Sequence, residues 1–221
     1  MMKKREVLIP LRELNLNGDL ALPDNPAGLV IFAHGSGSSR FSPRNQFVAG
    51  VLQEAGMGTL LFDLLSEAEE EEEYYTRHLR FDIPFLARRL VEATRWLQRQ
   101  QEARGLRLGY FGSSTGAAAA LIGAAELGEV IGAVVSRGGR PDLADEVLDQ
   151  IRTPTLLIVG GQDMEVLSLN RQALEQLRGE KELRIIPGAT HLFEEVGALD
   201  QVAEIAAEWF RHHLQPVAAA K

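Results

Sequence analysis

The chain of 221 residues contains no cysteine. Disulfides, thiolate metal sites and a cysteine nucleophile are therefore excluded. It has no excess of positive charge either: the formal net charge is −8 and the pI is near 5.2, which argues against a general nucleic-acid binder. It lacks long apolar runs, and nothing approaches the roughly 18 residues of a membrane span. The opening stretch MMKKREVLIPL is positively charged, but its apolar part is too short for a signal peptide. No internal repeat and no linker interrupts the chain. The expectation is a cytoplasmic protein forming one domain over residues 1–221, with no membrane and no nucleic acid as partner.

What is present is ordinary for a globular protein: 45% hydrophobic and 24% charged residues. A chain of this length buries roughly 70–75% of its unfolded surface. The acidity is local. Glu67 and Glu69–Glu73 supply six negative charges, leaving −2 for the rest of the chain. Residues 64–80 read as an acidic loop or lid-like insertion; the run Glu67–Glu73, followed by Tyr74-Tyr75, is a solvated loop, the exposed start of a helix, or a mobile lid over a site. Its like charges repel and favour a solvated, mobile border.

Short apolar runs alternate with helical patterns. Val7–Pro10 and Leu14–Leu22 form an expected antiparallel pair, with Asn17-Gly18 as a turn or bulge signal. Strands are then expected at Leu29–Ala33, Gly58–Phe62, Leu106–Phe111, Val130–Val135, Thr155–Val159 and Leu183–Ile186. Helices are expected at Gln46–Glu54, Asp82–Arg99, Thr115–Leu127, Asp142–Gln150, Leu167–Leu177 and Asp200–His213. The Asp82–Arg99 segment repeats Ile83, Leu86, Leu90, Ala93 and Leu97 on one face, with Asp82 as N-cap and Pro84 in the first turn. Strands without polar alternation, joined by helices, imply a mostly parallel sheet covered on both faces, an α/β fold.

The sharpest chemical signal is Gly112-Ser113-Ser114-Thr115-Gly116, a G-x-S-x-G set between a strand and a helix. So tight a turn forces its middle residue to positive φ, and glycines two positions either side remove the Cβ atoms that would clash. That phasing selects Ser114 over Ser113, whose flanks would be Phe111 and Thr115. A serine hydroxyl needs a base and an orienting carboxylate. Asp163, after the strand ending at Val159, and His191, after the strand ending at Ile186, supply both at the same sheet edge as Ser114. Asp63 also follows a strand and is read as a loop anchor instead. Val130–Val135 ends in Ser136-Arg137 with no acid after it, which removes the placement of the carboxylate one strand earlier.

With these residues the chain resembles an α/β-hydrolase of the dienelactone hydrolase-like group over nearly its whole length. The resemblance is carried by Phe32-Ala33-His34-Gly35-Ser36-Gly37-Ser38-Ser39-Arg40, the Ser114 turn, Gly161-Gln162-Asp163 and Thr190-His191. It implies the α/β-hydrolase fold, a mostly parallel sheet with an antiparallel N-terminal strand pair and helices on both faces. It also implies a Ser114–Asp163–His191 triad, and an oxyanion hole from the backbone N–H groups of Thr115 and of Ser36, the residue after His-Gly. Dienelactone hydrolases proper use a cysteine nucleophile; serine here points to ester or lactone hydrolysis more than to dienelactone itself. No cofactor and no metal is expected, the partner being a small ester or lactone and the assembly a monomer or homodimer. A thioesterase, a small peptidase, and a ligand-binding or sensing protein with slow turnover remain alternatives. His34 is read as a packing and turn residue, His78 as exposed, and His212 and His213 as helix-end charges. Arg40, Arg44 and Arg137 are read as surface or structural cations that could otherwise hold an acidic substrate group.

Overall fold

A computed structural model describes residues 1–215. The chain opens with β1 (Met2–Pro10), β2 (Asn15–Pro23) and β3 (Leu29–Ala33). Then α1 (Pro43–Glu54), β4 (Gly58–Phe62), α2 (Glu67–Thr76) and α3 (Ile83–Gln98) follow. The second half runs β5 (Leu108–Ser113), α4 (Thr115–Leu127), β6 (Ile131–Arg137), β7 (Thr155–Gly160), α5 (Met164–Gln176), β8 (Lys181–Ile186) and α6 (Ala198–Leu214). The strands form one eight-stranded sheet in the order β1-β2-β4-β3-β5-β6-β7-β8. β1–β2 and β2–β4 are antiparallel and every other pairing is parallel. This is the α/β-hydrolase arrangement.

The unbroken apolar strands are buried on both faces, as their composition requires. In β3, Leu29, Ile31 and Ala33 face the core beneath α3 and α4, while Val30 and Phe32 face the core beneath α1 and α6. The apolar face of α3 packs Leu86, Leu90 and Leu97 into the first of these cores. Each such side chain contributes roughly 1.5–3 kcal/mol by leaving water. Asp82 caps α3, its carboxylate accepting from Phe85 N–H at 2.9 Å.

Some elements differ from the sequence reading, each for a local reason. β1 begins at Met2 because it is an edge strand, where the charged Lys3, Lys4 and Arg5 stay exposed on both faces. Asn17-Gly18 is neither turn nor bulge but lies inside β2; a Cβ on Gly18 would sit 3.0 Å from Phe62 Cβ, so the glycine serves close packing. The turn is instead closed by Leu11 N–H donating to Leu14 O at 2.8 Å. α1 starts at Pro43 because Ser42 Oγ accepts from Asn45 N–H and proline suits the first turn. The Pro141–Gln150 segment is 3₁₀ with a break at Ala144, not a regular helix. Of the alternatives for the acidic run, the structure has the helix: α2 opens with a capping box between Ser66 and Glu69.

Candidate active site

The β5–α4 turn shows why its sequence is so restricted. Ser114 has φ 51° and ψ −121°, a conformation side chains rarely adopt, which costs on the order of 1–3 kcal/mol. A Cβ on Gly112 would fall 2.4 Å from Ala117 Cα, and one on Gly116 would fall 2.2 Å from Ala33 O. Both flanking glycines are therefore required by contact. Ser114 is partly exposed and its hydroxyl does not cap α4. Ser113 is buried, its hydroxyl 3.5 Å from Asn45 Oδ1.

Asp163 and His191 are brought together by backbone bonds between their loops. Gln162 N–H donates to Ala189 O and Gly161 N–H to Ile186 O, both at 2.9 Å. A Cβ on Gly160 would lie 2.4 Å from Ala189 O, so the loops touch backbone to backbone. The result is His191 Nδ1–H donating to Asp163 Oδ2 at 2.6 Å, the carboxylate mostly shielded and the ring partly open to solvent. This bond selects the tautomer that leaves Nε2 as an acceptor. Ser114 N–H donates to Arg137 O at 3.2 Å, and a Cβ on the next residue, Gly138, would lie 3.5 Å from His191 Cε1. The serine and the imidazole thus flank the same end of β6. Among the described residues no hydrogen bond joins Ser114 to His191.

The Gly35–Gly37 loop approaches the same turn. Ser36 N–H donates to Thr115 Oγ1 at 2.9 Å, so this N–H is occupied in the resting structure. His34 is buried and fully satisfied: Nδ1–H donates to Gly35 O at 2.9 Å, and Nε2 accepts from Leu64 N–H at 3.0 Å. Burial lowers its pKa, against the opposing pull of Gly35 O and of the Asp63 charge. Asp63 accepts from Arg40 through both oxygens, at 2.8 Å from the Arg40 backbone N–H and also from its guanidinium, and so fastens the loop.

Sequence reasoning missed how α2 joins this region. Glu73 is fully buried and accepts from Arg80 Nε at 2.9 Å, from the N–H groups of Leu79 and Arg80, and from Thr76 Oγ1. Burial alone would raise its pKa; the hydrogen bonds outweigh it and hold the carboxyl at about 2. Glu69 pairs with Arg89 at 2.6 Å. Arg80 Nη1 lies 3.4 Å from where a Gly37 Cβ would stand, and a small pocket beside Ser36 is lined by Leu64, Glu70 and Arg80. The basic cluster Arg77, His78 and Arg80 that follows the run of acids was the signal of this contact. Glu180, His212 and His213 group their ligand atoms within 4.8 Å of one another, at the opposite end of β8 from His191. No helix among the described residues is long and apolar enough to cross a membrane.

Fold and site together define an α/β-hydrolase. The model of the dienelactone hydrolase family matches residues 17–216, and the chain belongs to that family. It is 56% identical to a crystallographic dienelactone hydrolase from Anabaena variabilis, covering 97% of this chain and 99% of that one with a TM-score of 0.95. A Pyrococcus furiosus esterase shares the fold at 18% identity, with a TM-score of 0.77 over 96% of this chain and 92% of that one. A Mycobacterium tuberculosis protein provisionally named a phosphoribosyl transferase is 51% identical over 213 residues, 96% of this chain. The chain spans about half the length of such curated relatives, 47% in this case.

Proposed function

We propose that the chain is a serine hydrolase that cleaves a carboxylic ester or lactone through an acyl-enzyme. The observation that carries this is the 2.6 Å Asp163–His191 bond at the sheet edge where the strained turn presents Ser114. His191 Nε2 takes the Ser114 proton as Oγ attacks the carbonyl carbon. Asp163 holds the tautomer and stabilises the imidazolium. The tetrahedral oxyanion is met by the N–H of Thr115 at the start of α4 and by that of Ser36, once the Thr115 hydroxyl turns aside. The proton then passes to the departing alkoxide. Water, deprotonated by His191, attacks the acyl carbon, and Ser114 leaves with the proton restored. The missing Ser114–His191 bond fits a resting site that tightens around substrate. The α2 helix and Arg80 border the oxyanion loop as a rim outside the chemical step.

The test is labelling with a fluorophosphonate probe and mass-spectrometric location of the adduct. Modification of Ser114 is expected, together with turnover of short neutral esters that Ser114→Ala abolishes. An unlabelled Ser114 in folded protein refutes the assignment.

A further inference from the structure

The C-terminal end of α6 holds two histidines that the proposed reaction leaves unused. Its last residue, Leu214, is fully buried, and a Cβ on Gly28, Gly109 or Gly132 would meet its side chain at 3.0 Å or less. The helix end is therefore seated firmly on the sheet. His213, one residue earlier, packs its ring against Trp209 with centroids 4.4 Å apart. Its side chain is only 9% exposed, and Nε2 is shut off from water with no hydrogen-bond partner among the described residues. The group that Nε2 faces is Glu180 Oε1, at 3.6 Å, beyond the reach of a hydrogen bond. Glu180 is itself held in place just before β8, its carbonyl accepting from Thr155 N–H at 2.9 Å. His212 stands edge-on to His213, with ring centroids 4.7 Å apart. Ligand atoms of all three side chains lie within 4.8 Å of one another.

We infer that Glu180, His212 and His213 bind one divalent transition-metal ion of the zinc class, at the end of the sheet away from Ser114. Zinc holds imidazole nitrogen and carboxylate oxygen at roughly 2.0–2.2 Å, which sets two ligands of a tetrahedral shell roughly 3.4 Å apart. The 3.6 Å separation of Glu180 and His213 is close to that spacing, so a metal enters between them with little movement. Glu180 and His212 are exposed and can turn to complete the set. A metal needs the lone pair of a neutral imidazole, and His213 supplies it. Burial lowers its pKa below the usual 6.5, with His212 and Arg107 adding to the fall and Glu180 opposing it, so the ring is not the charge that its place at a helix end suggests. An ordinary His–Glu ion pair would need the proton that this setting removes. Arg107 opposes a cation here, and the Glu180 carboxylate offsets it. Two nitrogens and one carboxylate select zinc over calcium or magnesium, which prefer oxygen ligands. The ligands come from α6 and from the residue before β8, so the ion ties two separate elements together. It takes no part in the ester chemistry at the other edge, and the site does not depend on the ester-hydrolase reading.

The experiment is titration of the chelator-stripped full chain with Zn²⁺, read by calorimetry and by thermal unfolding. Wild type, His213→Phe, Glu180→Gln, His212→Ala and His78→Ala are compared. Wild type should bind one equivalent saturably, and the ion should raise its unfolding midpoint, because a ligand of the native state stabilises it. His213→Phe keeps a ring against Trp209 but offers no lone pair, so both the binding and the midpoint rise should disappear. Glu180→Gln and His212→Ala alter exposed side chains, and each should weaken binding by at least about tenfold. These two carry the comparison if His213→Phe fails to fold. His78→Ala, outside the cluster, should bind as wild type does. Cobalt in place of zinc should give the strong visible absorption of a four-coordinate centre and quench Trp209 fluorescence. Mg²⁺ should not compete. Three results overturn the site: no saturable Zn²⁺ binding in wild type, full retention of binding in both Glu180→Gln and His212→Ala, or equal competition by Mg²⁺.

Discussion

Replacing Glu73 by glutamine should separate the two kinds of glutamate in the acidic run. Glu73 lies inside α2 with no accessible surface and accepts from Arg80, Leu79 and Thr76. The amide keeps the shape, but it places an NH₂ group against one set of these donors and removes the charge that Arg80 faces. Breaking a buried ion pair costs about 3–5 kcal/mol. Arg80 is 21% exposed and partly rehydrates, so about 2–3 kcal/mol is the fitting range. If α2 unfolds with the whole molecule, Tm falls by about 4–12 °C for a chain of this size. If α2 opens alone, amide exchange at Leu79 and Arg80 accelerates about 30–150-fold while the global transition stays put. Glu71, exposed two residues earlier, is the control; Glu71→Gln should change stability by no more than about 0.5 kcal/mol. The pH dependence gives a second handle. The native carboxyl titrates at about 2, below its ordinary 4.5, so only the unfolded chain takes up the proton between these values. The contribution is therefore complete above pH 4.5 and disappears as pH falls through about 2. The gap between wild type and Glu73→Gln should narrow over that window. A gap that does not change with pH, or a Glu73→Gln protein as stable as Glu71→Gln, refutes the reasoning.

Four further outcomes follow from the site. Ser114→Ala should lower ester kcat by about 10⁴–10⁶-fold, whereas Ser113→Ala should keep most of it; steady-state assays showing the opposite order would reassign the nucleophile. Asp163→Asn should cost about 10⁴-fold in kcat with the fold intact, since the amide cannot support the required tautomer, while Asp63→Asn should lower Tm more than kcat. Thr115→Val removes the hydroxyl that occupies the Ser36 N–H in the resting structure, so the oxyanion no longer has to displace it; steady-state kcat/KM should rise by up to about fivefold, the value of one hydrogen bond, with Thr115→Ser staying at the wild-type value, and a fall in Thr115→Val would refute the competition. His34 is held neutral by burial, so the unfolded state binds its proton first; its share of stability is complete above the ordinary 6.5 and is lost as pH falls toward the lower native value, and denaturant titrations of His34→Ala should show a flatter slope there.

The parallel half of the fold was legible because its strands are continuous apolar runs and its helices carry clear periodicity. Leu29–Ala33 and Gly58–Phe62 match their expected limits for that reason. The N-terminal pair was harder. An edge strand such as β1 can carry exposed charge on both faces in its first half, so Lys3–Arg5 hid that half. Gly18 misled because the same residue that permits a turn also permits two strands to approach closely, and only the tertiary contact with Phe62 distinguishes them. The acidic run left loop and helix start both open because six like charges argue for solvation. The opposing information lay in Ser66, which caps the helix, and in Arg80 and Arg89, which compensate Glu73 and Glu69 from outside the run.

At the site, legibility divided by the kind of constraint. Ser114, Asp163 and His191 each follow the end of a parallel strand, and a parallel sheet sends all such ends to one edge; short-range pattern was enough to bring them together. The glycines at 112 and 116 were readable for the same reason, since a tight turn restricts residue type at fixed offsets. Contacts between loops carry no such offset. That Ser36 N–H rests on the Thr115 hydroxyl, that Arg80 reaches Gly37, and that Arg137 faces Arg44 depend on where three separate connections cross the sheet edge. The two arginines make the difference plain. Read along the chain, each is one basic residue among the 23 lysines and arginines, and solvation is the ordinary fate of such a side chain. Folding moves Arg137 to the buried end of β6 and sets Arg44 against it, and the pair then presents more donors than the protein supplies acceptors. A surplus of that kind is invisible to any local pattern, because it is defined by what the surroundings lack.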